Sequence, residues 1–151
     1  MTSSQFSITV EVPVPPPFVW PVMIDVERWP EWTASVSRVR RLSPGPLELG
    51  SRVRIHQPKL PPAWWRVTEL IPETGFTWLS VAPGLRVTAQ HAVEPVPGGS
   101  RITLSIRYEG LLGRWLAGWV GSLSDRYLAM EAQGLRKRCA DLAAASNSST
   151  S

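Results

Sequence analysis

LRVTAQHAVEPVPGGSRITLSIRYEG, residues 85–110, carries the pattern that decides the fold. Arg86, Thr88, Gln90 and Glu94 alternate with Val87, Ala89, His91 and Val93. Beyond Pro97-Gly98-Gly99 the alternation resumes, with Arg101, Thr103, Ser105, Arg107 and Glu109 set against Ile102, Leu104, Ile106 and Tyr108. A period of two sends successive side chains to opposite faces of a strand, so each run is a half-buried strand and the pair is a hairpin. Counting Pro97-Gly98-Gly99 as the turn sets His91 beside Ile106, with Tyr108 one inward step further along.

The same punctuation extends towards the N-terminus. Strands are expected at 36–42, 51–57, 64–71, 76–81, 85–96 and 101–108, separated by Ser43-Pro44-Gly45-Pro46, Pro58 to Pro62, Pro72-Glu73-Thr74-Gly75 and Ala82-Pro83-Gly84. Such spacing is an antiparallel meander. A further strand, Phe6 to Val12, opens the chain, and Pro15 to Pro17 close it. Proline suits a helix's first turn, so Phe18 to Asp25 reads as a short helix and Val26 to Trp32 as a second, broken at Pro30. Beyond Gly110 the period changes. Leu112, Trp115, Leu116, Trp119, Val120, Leu123, Tyr127 and Met130 recur at three-and-four spacing, predicting a helix from Leu111 to about Ala144 that covers the apolar sheet face. Gly113, Gly118 and Gly121 cost that helix about 1 kcal/mol each, and they either let it approach the sheet closely or leave space beside it.

Composition narrows the class. With 151 residues, 43% hydrophobic and 19% charged, one globular domain over 1–145 is expected, followed by a flexible polar tail at 146–151. The single cysteine, Cys139, excludes an internal disulfide and reads as a small packing residue. No basic, apolar leader opens the chain, and the longest apolar stretch, 111–123, is short and contains Arg114. A membrane span and a secretory signal are therefore not expected, and the cytoplasm is the expected location. Only two histidines exist, His56 and His91, and alternation puts them on opposite faces, so no metal site is expected. Phosphate-cradling and dinucleotide loops are absent, and no cofactor is expected. Fourteen of the sixteen basic residues are arginine. Arg38, Arg40, Arg52, Arg54, Arg66, Arg86, Arg101 and Arg107 fall on the wet face, which any half-buried sheet needs to be polar. Aromatic interleaving is poor, so nucleic acid is not the expected partner.

Several segments carry a resemblance. Val19-Trp20-Pro21-Val22-Met23-Ile24-Asp25-Val26-Glu27-Arg28-Trp29-Pro30-Glu31-Trp32 is similar to the opening of the START-like, or polyketide cyclase/dehydrase-like, superfamily, where a first helix ends in Asp and a Trp-Pro-x-Trp turn follows. Trp65 to Glu69, Phe76-Thr77-Trp78, His91 to Pro95 and Gly98 to Leu104 fit its later strands, and the likeness covers about residues 5 to 143. The resemblance implies an α+β helix-grip fold shared with Bet v 1-type proteins. In it a curved antiparallel sheet of six to seven strands wraps around the long C-terminal helix, with two short helices after the first strand. It also implies a cavity between helix and sheet for a lipid, polyketide or quinone.

Eight tryptophans suit such an interior, since indoles offer flat apolar surface and a donor that wants a partner. Candidate ligand contacts are Trp29, Trp32, Ile55, Trp65, Phe76, Trp78, Ala89, His91, Ile106, Tyr108, Trp115, Trp119 and Leu123. Trp64 and Trp65 are adjacent and cannot both face inward. His91, inward among apolar neighbours, needs a partner, and three readings stay open: a bonded core histidine, a ligand contact, or a proton carrier acting with Tyr108. Three function classes compete accordingly. The first is a protein that binds or transports a small hydrophobic molecule. The second is a cyclase or dehydratase using His91 and Tyr108, and the third an interaction module, such as a homodimer, using the basic sheet face.

Overall fold

Seven strands form one antiparallel sheet in the order β1-β7-β6-β5-β4-β3-β2. In the chain they are β1 (Ser4–Val12), β2 (Arg38–Arg41), β3 (Arg52–His56), β4 (Ala63–Ile71), β5 (Gly75–Ala82), β6 (Leu85–Val96) and β7 (Gly99–Glu109). Helix α1 (Pro16–Ile24) and a 3-10 helix (Val26–Glu31) follow β1, and helix α2 (Leu111–Ser148) ends the order. This computed structural model describes residues 4–42 and 45–148, and within them every side chain except those of residues 114, 117, 119, 120, 147 and 148. The architecture is the helix-grip arrangement that the resemblance implies: a long helix lies against the apolar face of a meander closed by its first strand.

Alternation assigns the faces as the sequence suggests. Val53, Ile55, Val87, Ala89, His91, Val93, Ile102, Leu104 and Tyr108 are buried, while Arg52, Arg86, Arg101 and Arg107 are exposed. Full burial of a Val, Leu, Ile or Phe side chain contributes about 1.5–3 kcal/mol, so this one face supplies a large part of the drive to fold.

Four details differ from the sequence reading. The β6–β7 turn has two residues, not three. Val96 pairs with Gly99, and in this register His91 lies beside Leu104, not Ile106, which faces Ala89. Gly98, at φ +86°, takes the left-handed conformation that closes the chain in so short a loop. A shift of two residues preserves the faces, so the inward set survives while its neighbours change. Pro30 does not break the second helix but sits inside a 3-10 turn, whose bonding tolerates a missing N–H in so short a segment. α2 continues through Ser148, past Ala144, because Ala143, Ala144 and Ala145 favour helix; residues 149–151 lie outside those described. Finally, the buried stripe of α2 is Ser124, Tyr127, Leu128, Glu131, Ala132, Leu135 and Cys139, whereas Leu112 and Trp115 at its start are exposed.

The glycines of α2 divide between the two alternatives. An added Cβ at Gly113 or Gly121 would lie 3.3 Å from Leu85 or Phe6, so these two permit close approach, while Gly118 has nothing within 4 Å. Gly134 is tighter still. There a Cβ would overlap the Trp32 carbonyl oxygen, so the helix and the residue after the 3-10 segment meet with no room for a side chain.

Candidate functional site

Between α2 and the inner face of the sheet lies a cavity of about 70 Å³. Its sheet wall is Ile55, Trp65, Trp78, Ala89, His91, Leu104, Ile106 and Tyr108, set there by the inward phase of β3 to β7. Its helix wall is Leu123, Ser124, Tyr127, Leu128 and Glu131, and Trp29, Val36, Gln57 and Leu60 close the ends. A water's share of liquid volume is about 30 Å³, and drug-sized sites run to about 300–1,000 Å³. The gap is real and small.

His91 is the best-organised polar group in this space. Its ring stacks on Phe76 with centroids 4.4 Å apart and planes 6° from parallel, and it meets Trp78 edge-on at 5.5 Å. Trp29 packs against it at 5.2 Å and is itself fixed by an indole N–H donated to the Met23 carbonyl at 3.1 Å. Across the cavity His91 Nε2 lies 3.0 Å from Glu131 Oε1, both residues being buried. His91 Nδ1 is buried with no hydrogen-bond partner. A buried donor or acceptor left unsatisfied costs about 1–3 kcal/mol, so the ring is held in place by its aromatic neighbours and Glu131 at some expense.

A second polar station is Tyr108, whose hydroxyl lies 3.0 Å from Ser124 Oγ. Burial raises the phenol above its ordinary pKa and outweighs the opposing effect of the Ser124 bond, so the hydroxyl stays protonated. Ser124 and Glu131 stand two helical turns apart, about 10 Å along α2 at 1.5 Å per residue. On the sheet, Tyr108 pairs with Val87, four residues from His91 on β6, or about 13 Å at 3.3 Å per residue. Ala89, Ile106 and Leu128 fill the interval. The two polar stations are separated by a largely apolar stretch that Gln90 and Ser105 also border.

Of the thirteen candidate contacts, Trp29, Ile55, Trp65, Trp78, Ala89, His91, Ile106, Tyr108 and Leu123 line the cavity. Trp32 and Phe76 do not. They stand behind the wall, Trp32 at 5.7 Å from Trp29 and Phe76 beneath His91, because the ring cluster is more than one layer deep. Trp115 does not line it either: it is 62% exposed, since the start of α2 turns that face outward. The Trp119 side chain lies outside the described residues. Trp64 and Trp65 divide as adjacency requires, Trp65 buried and Trp64 about half exposed.

Glu131 is the cavity residue that sequence reading missed. Its signal was phase, because Ser124, Leu128, Glu131 and Leu135 recur at three-and-four spacing, and an acid in phase with a buried stripe calls for a partner. Cys139 packs at the far end of the stripe, where burial pushes its thiol up to about 11. Among the described residues no three His, Cys, Asp or Glu side chains converge as metal ligands, and no helix is long and apolar enough to cross a membrane.

Known structures repeat this architecture. The aromatase/cyclase Zhui from Streptomyces sp. R1128 superimposes with a TM-score of 0.75 at 15% identity, covering 91% of this chain and 94% of that one. A START superfamily protein from Mycobacterium smegmatis gives 0.71 at 16%, covering 91% and 98%. A protein from Thermus thermophilus gives 0.74 at 18%, covering 92% and 99%. Identities this low establish a shared fold and leave activity to the site. No curated protein matches in sequence. Residues 3–140, from β1 into the last turns of α2, match the profile described as polyketide cyclase / dehydrase and lipid transport, and the chain belongs to that family.

Proposed function

We propose that the protein binds, and in doing so carries, a small hydrophobic molecule of the lipid, polyketide or quinone class in the cavity between α2 and the sheet. The observation that carries this reading is a gap walled by Trp, Leu, Ile and Ala with one buried His91–Glu131 couple at one end and Tyr108–Ser124 at the other. Apolar burial supplies affinity, at roughly 25 cal/mol per Å² removed from water. The polar ends supply orientation, and a guest atom that reached His91 Nδ1 would satisfy a group that is now unpartnered. At about 70 Å³ the resting cavity takes only a small guest. A larger one enters by displacing the half-buried Leu60, Leu123 and Gln57.

Titration with fatty acids, quinones and aromatic polyketides tests this directly. Trp29, Trp65 and Trp78 lie in the wall, so a guest should quench tryptophan emission. It should also raise the melting temperature, by about 2.7 kcal/mol of added stability at a hundredfold excess over Kd. A panel that leaves both unchanged removes the proposal.

The His91–Glu131 couple favours a second reading, a cyclase or dehydratase. A carboxylate that holds imidazole Nε2 fixes the ring for proton transfer, and the protonated Tyr108 hydroxyl is able to polarise a carbonyl. His91→Ala and Tyr108→Phe should then abolish turnover of a polyketide-like substrate while ligand quenching persists. Loss of quenching together with turnover assigns both residues to binding.

A further inference from the structure

The outer face of the sheet is divided in a way that its composition alone does not show. On its β1–β7–β6 side two of the three arginines are paired with acids: Arg101 with Glu11 at 3.1 Å and Glu94 at 3.3 Å, and Arg107 with Glu109 at 3.1 Å, while Arg86 forms no ion pair with any described residue. On its β2–β3–β4 side, Arg38, Arg40, Arg52, Arg54 and Arg66 form no ion pair with any described residue. Register makes matters worse. Arg40 stands directly opposite Arg54, and Arg52 directly opposite Arg66. Like charges placed directly across a ladder destabilise it, so two adjacent arginine–arginine pairs are a standing cost to the free protein.

Apolar groups flank this array. Leu42 is 56% exposed, Trp64 48% and Val81 68%. The Arg54 guanidinium lies 5.5 Å from the Trp64 ring centre, and its Nε is covered with no hydrogen-bond partner. Arg52 and Arg66 line a trough with Leu42, Trp64, Leu79 and Val81.

We propose that this half of the outer face docks on a membrane surface bearing anionic phospholipids. Phosphates would quench the repulsion between paired arginines, and Trp64 with Leu42 and Val81 would enter the headgroup zone, where indole and short aliphatic groups are favoured. The layout separates this partner from others. Protein interfaces keep charge at the rim and apolar area at the centre; here the two are interspersed, Trp64 directly opposite Arg54 and Leu79 directly opposite Arg66. Single-stranded nucleic acid needs successive aromatic platforms, and of the two tryptophans lining the trough Trp65 is buried while Trp64 alone is exposed.

Co-sedimentation of the full chain with vesicles tests the proposal independently of any cavity ligand. Phosphatidylcholine vesicles containing 30% phosphatidylglycerol should retain the protein at 20 mM salt and release it at 500 mM, and pure phosphatidylcholine should not retain it. Each arginine near an anionic surface is worth about fivefold in partitioning, so Arg52→Gln with Arg66→Gln should weaken binding about 25-fold. Arg101→Gln should change it little, and unchanged circular dichroism should accompany each variant. Equal retention by both vesicle types, no retention at low salt, or greater sensitivity to Arg101 than to Arg52 and Arg66 overturns the proposal. Capture by polyglutamate without capture by vesicles also overturns it and assigns the face to an acidic protein.

Discussion

Breaking the His91–Glu131 couple from either side should cost more than removing it whole. Both side chains are buried, and they meet through the 3.0 Å Nε2–Oε1 bond. Glu131→Leu leaves both imidazole nitrogens without partners, a loss of about 1–3 kcal/mol. His91→Phe strands a carboxylate beside Leu128 and the tryptophans, and a buried charge so stranded costs about 3–5 kcal/mol. In the double variant Phe stacks on Phe76 as the imidazole did, Leu meets Leu128, and no polar group remains to be satisfied. Its loss should be about 0–1 kcal/mol, close to an isosteric repacking of the core. The coupling energy is therefore about 3 kcal/mol or more, and a domain with about 5–15 kcal/mol of stability survives each single variant well enough to measure it. Urea unfolding followed by far-ultraviolet circular dichroism gives the midpoints, valid as stabilities where the slopes agree. Single-variant losses that simply add in the double variant, within about 0.5 kcal/mol, would refute the claim that the two groups act as a pair.

Two further outcomes follow from packing and burial. Gly118→Ala and Gly134→Ala make the same change in one helix with opposite expected signs. At Gly118, with nothing within 4 Å of the new methyl, the gain is about 1 kcal/mol of helix propensity. At Gly134 a methyl overlapping the Trp32 carbonyl forces backbone apart for about 1–3 kcal/mol of overpacking, and equal urea midpoints for the two would contradict the close approach. Cys139, its thiol raised from 9.0 to about 11 by burial, holds about a hundredfold less thiolate at pH 8 than an unshifted thiol. Iodoacetamide should label it slowly in the native protein and quickly in urea, and comparable rates would show the thiol to be open.

The strands were legible because alternation is a local signal that survives any tertiary context consistent with one wet face. Residues 85–96 were bounded correctly, and although the expected partner of His91 was two residues off, every inward residue stays inward, since the period is two. Helix faces were harder. A 38-residue helix meets different neighbours along its length, so one apolar stripe drawn from Leu112 to Met130 could not hold throughout. At its start the sheet is reached through Gly113, whose added methyl would sit 3.3 Å from Leu85, and Trp115 is left outside. Further along, the buried line passes through Leu128, Glu131 and Leu135, and a hydrophobic periodicity that skips charged residues steps over the buried acid. Glu131 is paired with a residue 40 positions away, and its residue type alone does not distinguish it from the solvent-facing acids. What distinguishes it is the conflict between its charge and its phase. Buried carboxylates persist only where something compensates them, so an acid in register with core positions, on a helix facing a strand that carries an inward histidine, points to a built polar contact. The same conflict marks the outer face, where opposed arginines without acids are costly unless another body supplies the anions.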